Sequence, residues 1–408
     1  MRRNLKIAPL LLLGLLVSLP WAVHSNNNIT NSGTNVDVAP FRHRIAAIES
    51  EYGALDHRLA EKFLSLGLAH RVNGELHHAI SALRQALHIS RINKGLHHLM
   101  HVPIVDLLVD SNTKLFDWAA VERHHRYRYW IHRREVDKNS DDFIDAAIEF
   151  ATWEIHAYDL DTGVPAFRQL RDAQAALVIV EETIRAKHGT TDPRMIRVLN
   201  LKAMANLNLA THINNTEVDP VTGGPVSGET IADVISRRNL IIECFVNGKQ
   251  ALEQVVNISE LAGQTIQHGL ALANLADWEL VFDRPRYSTR NYRRAYEILQ
   301  SAGLSKEELA VEFENPRKMS RFTVQRRAPD KVEELNSDAA YVMASFKVTL
   351  TGHARNVKVV EAKPIDNSRI VRRTRAALRV ARFRPRINDE GPVEAPSTIR
   401  YIFPDETI

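Results

Sequence analysis

Cysteine is almost absent: the 408 residues contain one, Cys244. A disulfide framework and a cysteine-based zinc site are therefore excluded. Within "LIIECFVNG" that thiol reads as a small buried hydrophobe rather than a nucleophile. Glycine and proline are scarce, at 17 and 16 residues, which excludes collagen-like and low-complexity chains. No long apolar run follows residue 25, so nothing beyond it has the length of a spanning helix. Neither charge sign dominates, with 53 Lys and Arg against 49 Asp and Glu and a net charge of +4. No phosphate-cradling glycine loop or Ser/His/Asp elbow is present, and "DKNSDD" and "DLDTG" lack the register of a calcium loop. No catalytic residue, metal ligand or cofactor is expected, and the chain reads as a non-enzyme.

What is present is a globular composition, 44% hydrophobic and 25% charged, on a chain long enough for roughly two or three domains. The first 25 residues stand apart. Arg2, Arg3 and Lys6 precede an apolar run from Ile7 to Val23 that Pro9 and Pro20 interrupt, and small residues at Val23 and Ser25 resemble a cleavage site. This is the layout of a signal peptide over 1–25, and an exported chain without disulfides suits a bacterial periplasm. Export makes nucleic acid an unsuitable partner. Acidic surfaces, such as a peptidoglycan polymer or a receptor tail, become the candidates for a basic chain. If the N-terminal segment were retained, it would instead be a membrane anchor.

Residues 26–40 are too polar to fold and are expected to be a disordered linker. From 41 to 311 the pattern is helical. In "ALDHRLAEKFLSLGLAHRVNGELHHAISALRQALHISR", Gly67 and Ala79 would let two antiparallel helices cross closely while Phe63, Leu83 and Leu87 fill the seam. The spacing resembles a tetratricopeptide repeat of about 34 residues. Weaker units follow at Leu115–Ile131, Ala146–Leu160, Val198–Ile213 and Ala271–Leu304, with a Pro/Gly-rich loop at Asn215–Thr230. The resemblance implies a stack of helix pairs that binds protein or peptide. His97 and His101 in "HHLMH" are spaced for zinc but have no glutamate base and no third ligand, so an envelope metal hydrolase is the weakest reading.

The stretch 312–330 has two prolines, several basic residues and no period, and is expected to be a linker before a small domain at 331–408. Tyr341–Leu350 alternates as a strand, Thr351–Ala354 turns, and Arg355–Pro364 forms a second strand with Val357 and Val359 inward. Ile370, Thr374, Ala377, Leu378 and Ala381 recur at helical spacing behind a cap at Asn367 or Ser368. Ile399, Tyr401 and Phe403 make the inward face of a last strand. The helix reads as arginine-rich through Arg369, Arg372, Arg373, Arg375, Arg379, Arg382, Arg384 and Arg386, as a solvated face or an acidic-partner contact. The fold class expected is therefore mainly α, a TPR-like array, followed by a small α+β domain in the order β-β-α-β.

The motifs "FKVTLTGHARNVKVVEAKP" and "RRTRAALRVARFRPRINDEGPVEAPSTIRYIF" resemble the C-terminal domain of the TonB family. The resemblance implies a domain whose last strand, Ser397, Thr398, Ile399, Arg400, Tyr401, Ile402 and Phe403, adds a segment of an outer-membrane TonB-dependent transporter, or of another envelope protein, to its edge. The family's histidine-bearing membrane helix and proline-rich spacer are not found in this sequence. The leading expectation is thus a periplasmic interaction protein. A membrane-anchored energy transducer working with ExbB and ExbD is the alternative if the N-terminal segment is retained.

Overall fold

The computed structural model describes residues 35–160, 162–215, 231–319, 339–365 and 367–407. The expected signal peptide, the loop after Asn215 and the 320–330 part of the expected linker lie outside the described residues. The molecule is mainly helical with a few antiparallel strands in small sheets. Among the described residues no helix is long and apolar enough to cross a membrane. The chain divides into two compact units, the boundary falling between Cys244 and Phe245.

The first unit contains α1 (Ala39–Tyr52), α2 (Arg58–Val72), α3 (Leu76–Lys94), α4 (Val102–Lys114), α5 (Trp118–Glu135), α6 (Asp141–His156), α7 (Ala166–His188) and α8 (Pro193–Asn215). Each packs mainly on its neighbour in sequence, because short connections leave adjacent helices no other way to bury their apolar stripes. Local chemistry sets the starts. Asp117 accepts from the Ala120 amide at 3.0 Å and Ser140 from the Phe143 amide at 3.1 Å, each satisfying a first-turn donor. The α2–α3 seam is as close as the spacing implies: a Cβ on Gly67 would stand 2.8 Å from Leu83 Cγ and 3.4 Å from the Ala79 carbonyl.

Helix α9 (Ile231–Leu261) carries the boundary, and the second unit continues with α10 (Thr265–Val281), α11 (Pro285–Ser301) and α12 (Lys306–Phe313). Ser305 and Glu308 form a reciprocal capping box at the start of α12. Then come β1 (Arg317–Met319), β2 (Ala339–Val348), β3 (Ala354–Lys363), α13 (Ser368–Val380), β4 (Arg382–Arg384), β5 (Arg386–Asn388), β6 (Gly391–Val393) and β7 (Ala395–Thr407). The main sheet is antiparallel in the order β3-β2-β7, while β1 pairs β4 and β5 pairs β6. On β2 the alternate residues Ala340, Val342, Ala344, Phe346 and Val348 are all buried, the period-two pattern of a half-covered sheet. They meet Ile370 and Leu378 of α13, whose cap is Asn367.

Gly352 in the β2–β3 turn has φ of +73°, and a Cβ there would lie 2.4 Å from the Phe383 carbonyl. The Phe383 amide donates to the Gly352 carbonyl at 2.9 Å, so the glycine lets β4 run against the turn.

Two readings of the sequence are corrected here. Residues 312–319 of the expected linker are built into the second unit, as the end of α12 and as β1. Arg382, Arg384 and Arg386 do not extend the arginine-rich helix, which stops at Val380; they belong to β4 and β5. The reason is tertiary: Asp277 of α10 and Glu312 of α12 draw Arg384 inward, while Asp283 and Glu314, just past the ends of α10 and α12, meet Arg382 and Arg386.

Candidate functional site

The candidate site is the outer edge of β7. Ile399 and Tyr401 pack on the cluster of Phe346, Leu378 and Phe383, and Phe403 packs beside Val342 and Ile370. Thr398 and Arg400 are exposed between them. On the solvent face the Arg400 guanidinium stands 3.9 Å from the Tyr341 ring centre, and the Tyr341 hydroxyl donates to Glu361 of β3, which raises the phenol above its usual range. A polar strap thus crosses all three strands.

The strand pairs β2 continuously from Ala395 opposite Val348 to Phe403 opposite Ala340. Its other side has no strand partner among the described residues. Pro396 and Pro404 bracket the seven expected site residues, so every residue from Ser397 to Phe403 retains its amide N–H. In an antiparallel strand alternate residues turn these groups toward the neighbour, and the rest point to the open side. The structure places all seven sequence-identified residues on this one strand.

The opposite edge, β3, differs. It exposes Arg355, Lys358, Glu361 and Lys363, and its pairing with β2 shifts register at Met343/Ala344 and again at Ser345/Lys347. Charges and irregular pairing are the usual guards against strand addition. Between its prolines β7 has a single charged residue, Arg400, and no register shift. The contrast leaves β7 the less guarded of the sheet's two edges.

Behind the sheet lies a buried ionic cluster that the sequence reading missed. Arg384 is fully buried; its Nε donates to Asp277 Oδ1 at 2.8 Å, its Nη2 to Asp277 Oδ2 at 2.5 Å, and its Nη1 to Glu312. Burial alone would depress the guanidinium pKa, but Asp277 and Glu312 more than reverse this and hold the charge firmly. The Tyr292 hydroxyl also donates to Asp277, at 2.6 Å; burial and that carboxylate push the phenol well above its ordinary range. Arg382 reaches Asp283 at 2.6 Å and Arg386 reaches Glu314 at 2.7 Å. The available signal was the two-residue spacing of Arg382, Arg384 and Arg386, a strand period, together with acids inside the otherwise apolar "LANLADWELV".

His97 and His101 serve packing. His97 lies against the Trp130 ring, with centres 3.6 Å apart, and buried His101 bonds the Tyr127 hydroxyl through Nδ1 at 2.9 Å. Cys244 is buried, and burial pushes its thiol up to about 11, far from a nucleophile's range.

No known protein family's sequence profile matches the chain, and no curated protein matches it. Among solved structures it is similar to BtubC (BKLC) from P. vanneervenii, at 14% identity over 71% of this chain and 94% of that one. The TM-score of 0.35 is too low for that likeness to bear on fold or function.

Proposed function

We propose that this is a periplasmic, non-enzymatic interaction protein in which a TPR-like helical scaffold holds one partner and a TonB-like C-terminal domain takes an extended segment of another by strand addition. The observation that carries the reading is the open edge of β7: an uninterrupted run of amides, one charge, a regular ladder behind it and a guarded edge opposite. Backbone groups supply most of the affinity in strand addition, while alternate side chains tune it. The segment taken is that of an outer-membrane transporter or another envelope protein.

The test titrates the full chain with synthetic peptides from the periplasm-facing N-terminal segments of outer-membrane transporters. Arg400→Ala is expected to keep most of the binding. Proline is placed at Arg400 in one variant and at Ile399 in another; only one of these two amides faces β2, so the other substitution blocks the open edge and leaves the ladder whole. The variant whose circular dichroism stays native is expected to lose the peptide. Peptide binding as tight as the parent's by that folded proline variant would rule out strand addition at β7.

A further inference from the structure

We propose that the turn between α2 and α3 is a binding site for a divalent transition cation of the zinc class, held by His70, Glu75 and His78. Each offers one donor atom, and the three atoms lie within 4.8 Å of one another. Nitrogen and oxygen donors stand about 2.0–2.1 Å from zinc, hence about 3.3 Å from each other around a tetrahedron. Reaching that spacing requires only rotation of the exposed Glu75 and His78 side chains about His70, which is 3% exposed and fixed: the carboxylate already in contact with His70 moves off slightly and the wider separations close.

The backbone already sets the chelate. The Glu75 amide donates to the His70 carbonyl at 2.9 Å, and the Gly74 amide to the Arg71 carbonyl at 3.1 Å, with Gly74 at φ +77°. Asn73 exchanges two hydrogen bonds with Val36, at 2.8 and 2.9 Å, which tie the turn to the segment before α1. His70 Nδ1 faces the Glu75 carboxylate directly, and the His70 and His78 rings lie 5.2 Å apart and tilted by 32°. The cation would take the place of the proton between Nδ1 and the carboxylate. Two imidazoles and a carboxylate suit zinc, copper or nickel rather than calcium or magnesium, which prefer oxygen ligands. Three protein ligands leave a position open to water. The ligands come from the end of one helix and the start of the next, so an occupied site would staple the hairpin.

The full chain, freed of metal with a chelator, is titrated with Zn²⁺ by calorimetry, and melting is followed with and without the ion. One equivalent is expected to bind more tightly than the remaining surface histidines and to raise the melting temperature. His78→Ala and Glu75→Gln change only exposed side chains, and each is expected to weaken that equivalent by about tenfold or more. His88→Ala, an exposed histidine elsewhere on α3, is expected to leave it unchanged. In the unaltered chain Zn²⁺ is expected to slow amide exchange over residues 70–78, while Mg²⁺ does not. Unchanged affinity in His78→Ala and Glu75→Gln, or zinc protection confined to other segments, would overturn the site.

Discussion

Arg126 on α5 is one cation facing three carboxylates. Its Nη1 donates to Asp172 at 2.6 Å, its Nη2 lies 2.9 Å from Glu154, and its Nε donates to Glu122. Glu122 also accepts from the Trp153 indole at 2.6 Å, so that carboxylate is the one best served by donors. Glu154 is fully buried. Burial first, and the neighbouring Glu122 second, push its pKa from the ordinary 4.5 to about 9. Between those values the folded chain keeps a proton that the unfolded chain has released. The folded state is therefore progressively penalised as pH rises from about 4.5 to about 9, by up to about 1.4 kcal/mol per pH unit, and the penalty is constant above that range. Glu154→Gln keeps the shape and removes the titration. It is expected to be stabilising relative to the parent in denaturant unfolding at about pH 8.5, with the advantage shrinking toward about pH 5. An advantage independent of pH would contradict a protonated Glu154.

Helix pairs show what local spacing controls. In the α2–α3 hairpin Gly67 faces Leu83 and the Ala79 carbonyl. In the α10–α11 hairpin Gly269 faces Leu299, with Cγ 2.5 Å from where its Cβ would be, and the Ala295 carbonyl at 3.3 Å. The same device, a glycine on the first helix and Ala and Leu four apart on the second, recurs in both units. Adding a methyl at Gly67 overpacks the seam, and Gly67→Ala is expected to cost about 1–3 kcal/mol in urea unfolding. Leu83→Ala alone opens a cavity and is expected to cost about 2–5 kcal/mol. Because the two sites are in contact, the double variant is expected to lose less than the sum. Strict additivity would mean that Gly67 is not a close-approach site. The first hairpin was legible because its small and large residues sit within one short window. The second was read only as a weaker unit, because its close contact lies far from the turn, with Gly269 near the start of α10 and Leu299 near the end of α11, which places the pair farther apart in sequence.

For the molecule as a whole, the consequential boundary is the one before the C-terminal sheet. The expected domain at 331–408 leaves out Asp277 and Glu312, the partners of the buried Arg384, Asp283 and Glu314, the partners of Arg382 and Arg386, and also β1, the partner of β4. Cutting there removes the groups that make a buried Arg384 tolerable, and breaking a buried pair costs about 3–5 kcal/mol. That is a large part of a small domain's stability. A fragment covering 331–408 is expected to melt without cooperativity by circular dichroism, whereas one covering 245–408 is expected to melt as a folded unit. A sharp transition at the same temperature in both would show that the helices contribute nothing to the sheet. Strand-addition measurements therefore belong on the full chain.

What the sequence alone determined is whatever is decided within a few neighbouring residues. The alternation from Tyr341 onward, the turn at Gly352, a cap at Asn367 or Ser368, the stripe Ile370–Thr374–Leu378 and the Ile399–Tyr401–Phe403 face all follow from periods of two or 3.6 and from turn chemistry. The last strand was legible in the same way, but the choice of Ser397 to Phe403 as a binding edge came from the resemblance to the TonB family and not from the pattern. Whether that strand has a free side depends on the strand order, which is a tertiary fact. Tertiary structure also decided where the arginines go. Arg384 lies 107 residues from Asp277, and no window along the chain shows that an aspartate on α10 will meet it. The same holds for Glu154, whose surroundings come from separate helices; a side chain's burial, and with it its charge state, is set by what the fold brings against it.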